Sequence, residues 1–105
     1  MKKLLSLTVC LLLALSQMMA QLSVPSFFSD HMVLQREKPI NIWGTANVGE
    51  RISVTLGNTQ KSTRTDKNGK WSVSFPPMQA GGPYTLNVRS PKQTLSFADI
   101  LIGEV

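Results

Sequence analysis

The only histidine of the chain, His31, follows a carboxylate, Asp30, and both residue types occur in serine-hydrolase triads. Such a triad needs a serine nucleophile beside the histidine and a carboxylate that orients the imidazole ring. The sequence has no Gly-x-Ser-x-Gly elbow that would present a serine after a strand. A turn residue is therefore the favoured interpretation of His31, ahead of a catalytic base.

The acidic residues are scattered along the chain and show no metal-ligand spacing; they are Asp30, Glu37, Glu50, Asp66, Asp99 and Glu104. The only cysteine, Cys10, lies in a predicted export signal, so the mature chain would have no thiol. A carboxylate pair for glycoside hydrolysis stays open, although no spacing favours one. We predict no catalytic, cofactor-binding or metal-binding residue in these 105 residues.

Three aromatic side chains, those of Trp43, Trp71 and Tyr84, have rings that could stack on sugars. Each lies in or beside a predicted strand, in register with positions that we expect to face the core. Core packing is therefore the favoured role for all three, and sugar stacking is the alternative.

The first twenty residues have the three parts of a secretory signal peptide. Lys2 and Lys3 are basic, residues 4–15 are mainly apolar, and residues 16–20 end in Ala20, after which we expect cleavage. The apolar run is shorter than the roughly 20 residues that a membrane span needs. Cys10 lies within this run and is not preceded by the small residues of a lipoprotein signal. The sequence predicts export to the periplasm or the medium, with no membrane span after cleavage.

The net charge of +5 depends partly on that signal. Without Lys2 and Lys3, nine basic residues face six acidic ones, a net charge of +3. The remaining basic residues stand singly, where a nucleic-acid surface would need a clustered basic stripe with aromatics between. The distribution predicts a solvated sheet face and no nucleic-acid partner.

Alternating apolar and polar residues predict strands throughout the mature chain. The clearest case is residues 51–56, in which Ile52, Val54 and Leu56 share one face. Turns follow at Gly57-Asn58 and at residues 66–69. Further strands are predicted at residues 22–24, 32–35, 40–43, 59–65, 70–75, 84–89 and 93–97. We predict an all-β fold, a small antiparallel β-sandwich of the immunoglobulin-like kind over residues 21–98.

Residues 99–105 differ from the other strands because their apolar side chains do not alternate. A continuous apolar run indicates a strand buried on both faces. We therefore expect residues 99–105 to begin a strand that leads into a further domain beyond Val105.

An ordered set of short motifs carries a family resemblance. They are residues 28–36 (FSDHMVLQR), Lys38-Pro39, Ile42-Trp43-Gly44, Ala46, Gly49-Glu50, residues 68–71 (NGKW), residues 81–86 (GGPYTL) and residues 99–105 (DILIGEV). Together they resemble the N-terminal region of the secreted sialate O-acetylesterases and span nearly all of the mature chain. The resemblance implies a β-rich domain that precedes an SGNH-type serine hydrolase domain, which removes acetyl groups from sialic acids.

In that family, the segment resembling residues 99–105 leads into a Ser-Gly-Gln-Ser-Asn block with the nucleophile. That block is absent from these 105 residues, so no catalytic residue is carried over. The resemblance implies an esterase fragment, inactive alone, that would meet an acetylated sialic acid or related glycan through the missing catalytic domain. The alternative is a stand-alone secreted module for glycan binding or structural support.

The intact mass of the protein released by its native host tests export and length together. We expect cleavage after Ala20 in either case. A mass below that of the 105-residue chain by the first twenty residues would identify an orphan domain. A mass several-fold larger would show that the nucleophile lies beyond Val105. Retention of residues 1–20 would contradict the signal-peptide prediction.

Overall fold

A computed structural model describes residues 20–105, whose regular secondary structure consists of β-strands. The predicted signal peptide lies outside the described residues, apart from Ala20. No helix in the described part is long and apolar enough to cross a membrane. The strands are β1 (Val33–Gln35), β2 (Ile40–Thr45), β3 (Arg51–Leu56), β4 (Thr59–Arg64), β5 (Lys70–Phe75), β6 (Gly81–Arg89) and β7 (Thr94–Gly103).

The strands form two sheets in a sandwich-like arrangement, which confirms the all-β prediction. The larger sheet has the order β1-β7-β6-β3-β4, and the smaller one pairs β2 with β5. All pairs are antiparallel except β1 with β7, where Val33 lies opposite Leu101 in parallel register. The purely antiparallel prediction is wrong at this pair, because strands far apart in sequence need no hairpin and can pair in either direction.

The two-residue period of the strands builds the core between the sheets. In β3 the residues Ile52, Val54 and Leu56 are almost fully buried, as predicted. In the facing sheet, Trp71 and Phe75 of β5 are also buried. Further buried apolar residues come from both sheets and the N-terminal segment: Leu22, Phe28, Ile40, Ile42, Ala46, Val73, Leu86, Val88, Ile100 and Ile102.

Both predicted hairpin turns are present. Gly57 adopts a φ of 59° in the two-residue connection of β3 to β4. In the other turn, Asp66 accepts hydrogen bonds from the backbone N–H groups of Asn68 (2.8 Å) and Lys70 (3.0 Å). These two bonds, chiefly the one from Lys70, lower the pKa of the Asp66 carboxyl. The polar strand β4 lies at a sheet edge, as predicted.

The C-terminal strand differs from the prediction in burial and in length. Ile100 and Ile102 are buried, whereas Leu101 between them is 41% exposed, so the expected burial on both faces is wrong. The outer face of the five-stranded sheet is not covered at this position by the described residues. Strand β7 also runs without interruption from Thr94, so the predicted boundary between residues 98 and 99 falls inside it.

Two other segments have different lengths from those predicted. Residues 22–24 contribute only an isolated bridge, between Ser23 and Thr45. Strand β6 begins at Gly81, in the predicted loop, because it continues along β7 past a register irregularity and pairs Gly81 with Ile102.

Gly44 is the position where the bridge approaches β2 too closely for any side chain. A Cβ atom there would lie 1.9 Å from the backbone oxygen of Ser23 and 2.7 Å from Cζ2 of Trp71. We expect Gly44→Ala to lower the free energy of unfolding by about 3 kcal/mol, because the bridge or the indole must move. Chemical denaturation of the purified chain measures this loss.

Gly103→Ala is the matched control for Gly44→Ala. Its Cβ would meet nothing closer than Cγ1 of Val33, at 3.7 Å, which is ordinary contact. We expect no loss of stability from this change. Equal losses for both variants would contradict the steric explanation.

Candidate functional site

Trp43 points away from the core, which corrects the prediction that it faces inward. Its side chain is 41% exposed, whereas its neighbours in β2, Ile42 and Gly44, are buried. Because consecutive side chains of a strand point to opposite faces, the inward position of Ile42 already requires Trp43 to point outward. The prediction assigned Trp43 to the inward-facing register, whereas the two-residue period set by Ile40 and Ile42 places it on the opposite face.

Phe27, Phe28 and Trp43 form an aromatic cluster at the surface. The Phe28 ring is buried and meets Trp43 edge-on, with ring centroids 5.0 Å apart and an interplanar angle of 78°. Phe27 is 61% exposed and lies 5.5 Å from Trp43 and 4.7 Å from Phe28. Tilted and edge-to-face contacts of this kind are favourable. The partly exposed indole of Trp43 therefore packs against a buried ring.

A groove with a volume of about 740 Å³ lies beside Trp43. It runs between the segment at Ser23 and the end of β4, across the paired strands β2 and β5. Its lining includes the side chains of Trp43, Thr45, Arg64, Lys70 and Ser72. The volume is within the range of small-molecule sites.

The groove carries two cations and one carboxylate. Arg64 donates a hydrogen bond from Nη1 to the backbone oxygen of Gly49 at 3.1 Å. Within residues 20–105, neither Arg64 nor Lys70 forms a salt bridge. The carboxylate, Asp66, already accepts two backbone hydrogen bonds. A small anion would therefore meet a net positive charge here.

Trp71 and Tyr84 lie where the sequence predicted them. Trp71 is buried and lines the floor of the groove, and its indole N–H has no hydrogen-bond partner in the described part of the chain. Tyr84 is half-buried against the core, with its ring close to Gly57 and Gly81. The prediction of core packing is thus confirmed for these two aromatic residues and is wrong for Trp43.

His31 lies in a turn, as predicted, and its partner is Asp99 instead of the adjacent Asp30. The imidazole Nδ1 lies 2.7 Å from Oδ2 of Asp99, and both side chains are at least half exposed. Asp30 instead accepts a hydrogen bond from the backbone N–H of Ala98 at 2.7 Å. His31 and Asp99 have φ values of 67° and 58°, in the left-handed region. We call these four residues the β7 clip.

The β7 clip holds the turn before β1 against the middle of β7. The backbone N–H of His31 also donates to the backbone oxygen of Ala98 at 3.0 Å. The hydrogen bond with Asp99 is the main cause that raises the pKa of His31 above 6.5. In the described part of the chain, His31 has no hydrogen bond to a serine hydroxyl, so the clip is a structural contact without a nucleophile.

A second contact joins β1 to the end of β7. Nε of Arg36 donates to Oε1 of Glu104 at 2.6 Å, and the backbone N–H of Val105 donates to Oε1 of Gln35 at 3.1 Å. The bond from Arg36 is the main cause that lowers the pKa of Glu104. Across residues 20–105, no group of three or more histidine, cysteine, aspartate or glutamate side chains could hold a metal ion.

Similarity to known proteins was found in sequence and in fold, while no protein-family model matches the chain. The sialate O-acetylesterase of Rattus norvegicus is 32% identical over 91 residues, and that of Homo sapiens is 29% identical over the same length. A carbohydrate acetylesterase from Xanthomonas citri has a similar fold, with a TM-score of 0.77 and 32% sequence identity.

These similarities cover most of this chain but a small part of each relative. The matched region is 76% of the chain and 17% of each of the two mammalian proteins. For the Xanthomonas citri structure the shares are 79% and 19%. The chain therefore corresponds to one segment of longer esterases.

The β7 clip predicts a pH-dependent stability that the single histidine makes measurable. Because the pKa of His31 is raised in the folded state, protonated His31 stabilises the fold. This stabilisation is complete below pH 6.5 and is lost as the pH rises through the raised pKa. We expect Asp99→Asn, which tolerates the left-handed backbone, to bring the His31 pKa down towards 6.5 in a proton NMR titration.

The same variant should lower the melting temperature more at a pH below 6.5 than at a pH well above it. Asp66→Asn, in a turn away from the clip, is the control and should leave the His31 titration unchanged. A stability difference that grows with rising pH would show that the assigned pairing is wrong.

Proposed function

The chain is homologous to a segment of the sialate O-acetylesterases, and from this relationship we propose that it is the non-catalytic β-sandwich module of an exported carbohydrate esterase. The observation that carries the proposal is the agreement of sequence and fold: the chain is 32% identical to a rat sialate O-acetylesterase and superposes on part of a carbohydrate acetylesterase. The activity belongs, in this proposal, to the part of those enzymes that the chain does not match.

The contacts of His31 support a module that is inactive alone. Its imidazole is paired with Asp99 in the β7 clip, and its backbone is fixed to Ala98. A catalytic histidine must instead reach a nucleophile and the substrate. The resemblance of the sequence motifs likewise implies that a nucleophile block would follow the residues that correspond to 99–105.

The outer face of the five-stranded sheet supports contact with a catalytic part. Val33 and Leu101 are register partners there, and they are 43% and 41% exposed. Neighbouring exposed apolar side chains often mark a surface that another domain covers. In our proposal the module braces the catalytic domain of an enzyme that removes O-acetyl groups from sialic acids in the periplasm or the medium.

An esterase assay on the purified full chain tests whether the module is inactive. We expect hydrolysis of 4-nitrophenyl acetate and of O-acetylated sialic acid at the rate of buffer alone. His31→Asn, whose side chain tolerates the left-handed backbone, should behave identically. Hydrolysis above the buffer rate that disappears in His31→Asn would overturn the proposal, and an activity equal in both preparations would indicate a contaminant.

A further inference from the structure

The outward face of the β2–β5 sheet is polar, with the indole of Trp43 at its centre. Trp43 lies opposite Ser72, between the pairs Asn41–Ser74 and Thr45–Lys70. All six side chains are exposed. Short hydroxyl and amide side chains leave the indole accessible and supply donors and acceptors beside it. We call these six residues the Trp43 face.

The indole of Trp43 is held in place before any ligand binds. Its edge-to-face contact with the buried Phe28 restrains the ring, and Phe27 lies beside it. A side chain that is already ordered loses little conformational entropy on binding. The ring is therefore suited to stack against the apolar face of a sugar.

Charge distinguishes this surface from a platform for neutral sugars. Lys70 belongs to the Trp43 face and also lines the groove, together with Arg64. Neither cation has a salt-bridge partner in the part of the chain that the structure describes. The Asp66 carboxylate, which two backbone N–H bonds keep ionised, offsets only one of the two positive charges, so the groove has a net positive charge.

We propose that the Trp43 face and the adjoining groove bind an acidic monosaccharide, with Trp43 stacked on the sugar ring and Lys70 and Arg64 receiving its carboxylate. The ring and the cations line the same groove, and its volume of about 740 Å³ can hold one or two sugar rings. The choice of an acidic sugar rests in part on the proposed function, whereas the surface itself is a property of the described residues. In this proposal the module binds the class of sugar on which the esterase acts, and it also braces the catalytic domain.

A titration of the full chain with N-acetylneuraminic acid tests the site directly. The chain has two tryptophans, so two indole N–H signals are expected in a nitrogen–proton NMR spectrum. We expect the Trp43 signal to shift saturably and that of the buried Trp71 to shift less. The methyl ester of the same sugar, which lacks the negative charge, should bind more weakly, and added salt should reduce this difference.

Two variants separate stacking from charge recognition. Trp43→Ala should weaken binding about ten-fold, whereas Trp43→Tyr should retain most of it. Lys70→Gln should weaken binding of the acid about three-fold at low salt and leave binding of the ester unchanged. Lys61→Gln is the matched control, since Lys61 lies on β4 outside the groove lining and should have no effect.

Each outcome decides the proposal. Absence of saturable shifts at millimolar sugar, or unchanged binding in folded Trp43→Ala, would overturn the site. Equal affinity for acid and ester, with no effect of Lys70→Gln, would overturn its acidic specificity. Lys70 is exposed, and its hydrogen bonds with Asp66 are made by its backbone, so Lys70→Gln keeps the test valid if Trp43→Ala fails to fold. Failure here leaves the esterase-module proposal standing, and that proposal is tested separately by the hydrolysis assay.

Discussion

Burial of one face of the β2–β5 sheet against the five-stranded sheet stabilises the whole domain. Two strands alone are marginally stable in water, so this small sheet persists because Ile42, Trp71 and Phe75 are removed from solvent. Burying one such apolar side chain contributes about 1.5–3 kcal/mol. The strand period then requires the opposite side chains, Trp43 among them, to face outward. The proposed sugar-binding surface is therefore a direct consequence of how the core is built.

The long-range contacts at β7 hold the other end of the domain together. Strand β1 has three residues and pairs with β7 in parallel, so it makes few ladder hydrogen bonds of its own. The β7 clip and the pair formed by Arg36 and Glu104 add side-chain bonds on either side of it. The only histidine of the chain thereby stabilises the fold. This role agrees with our proposal that the module has no catalytic centre of its own.

The similarity of the chain to one segment of longer enzymes agrees with our proposal of a non-catalytic module. The matched region is under a fifth of each relative. What this segment has instead is a supported aromatic ring, unpaired cations among the described residues and a groove between them. These features suit binding, where orientation and charge matter and no nucleophile is needed.

Strands β2 to β5 and the turns between β3 and β4 and before β5 can be predicted from local sequence, because alternation and turn residues act over a few neighbours. The local sequence also contained the outward direction of Trp43, in the period set by Ile40 and Ile42. Long-range packing sets the parallel pairing of β1 with β7 and the partner of His31, which lies 68 residues away. The same long-range packing forms the groove, where β4 of one sheet approaches β5 of the other. Such contacts depend on sheet order and on the meeting of distant segments, and no local pattern of residues specifies them.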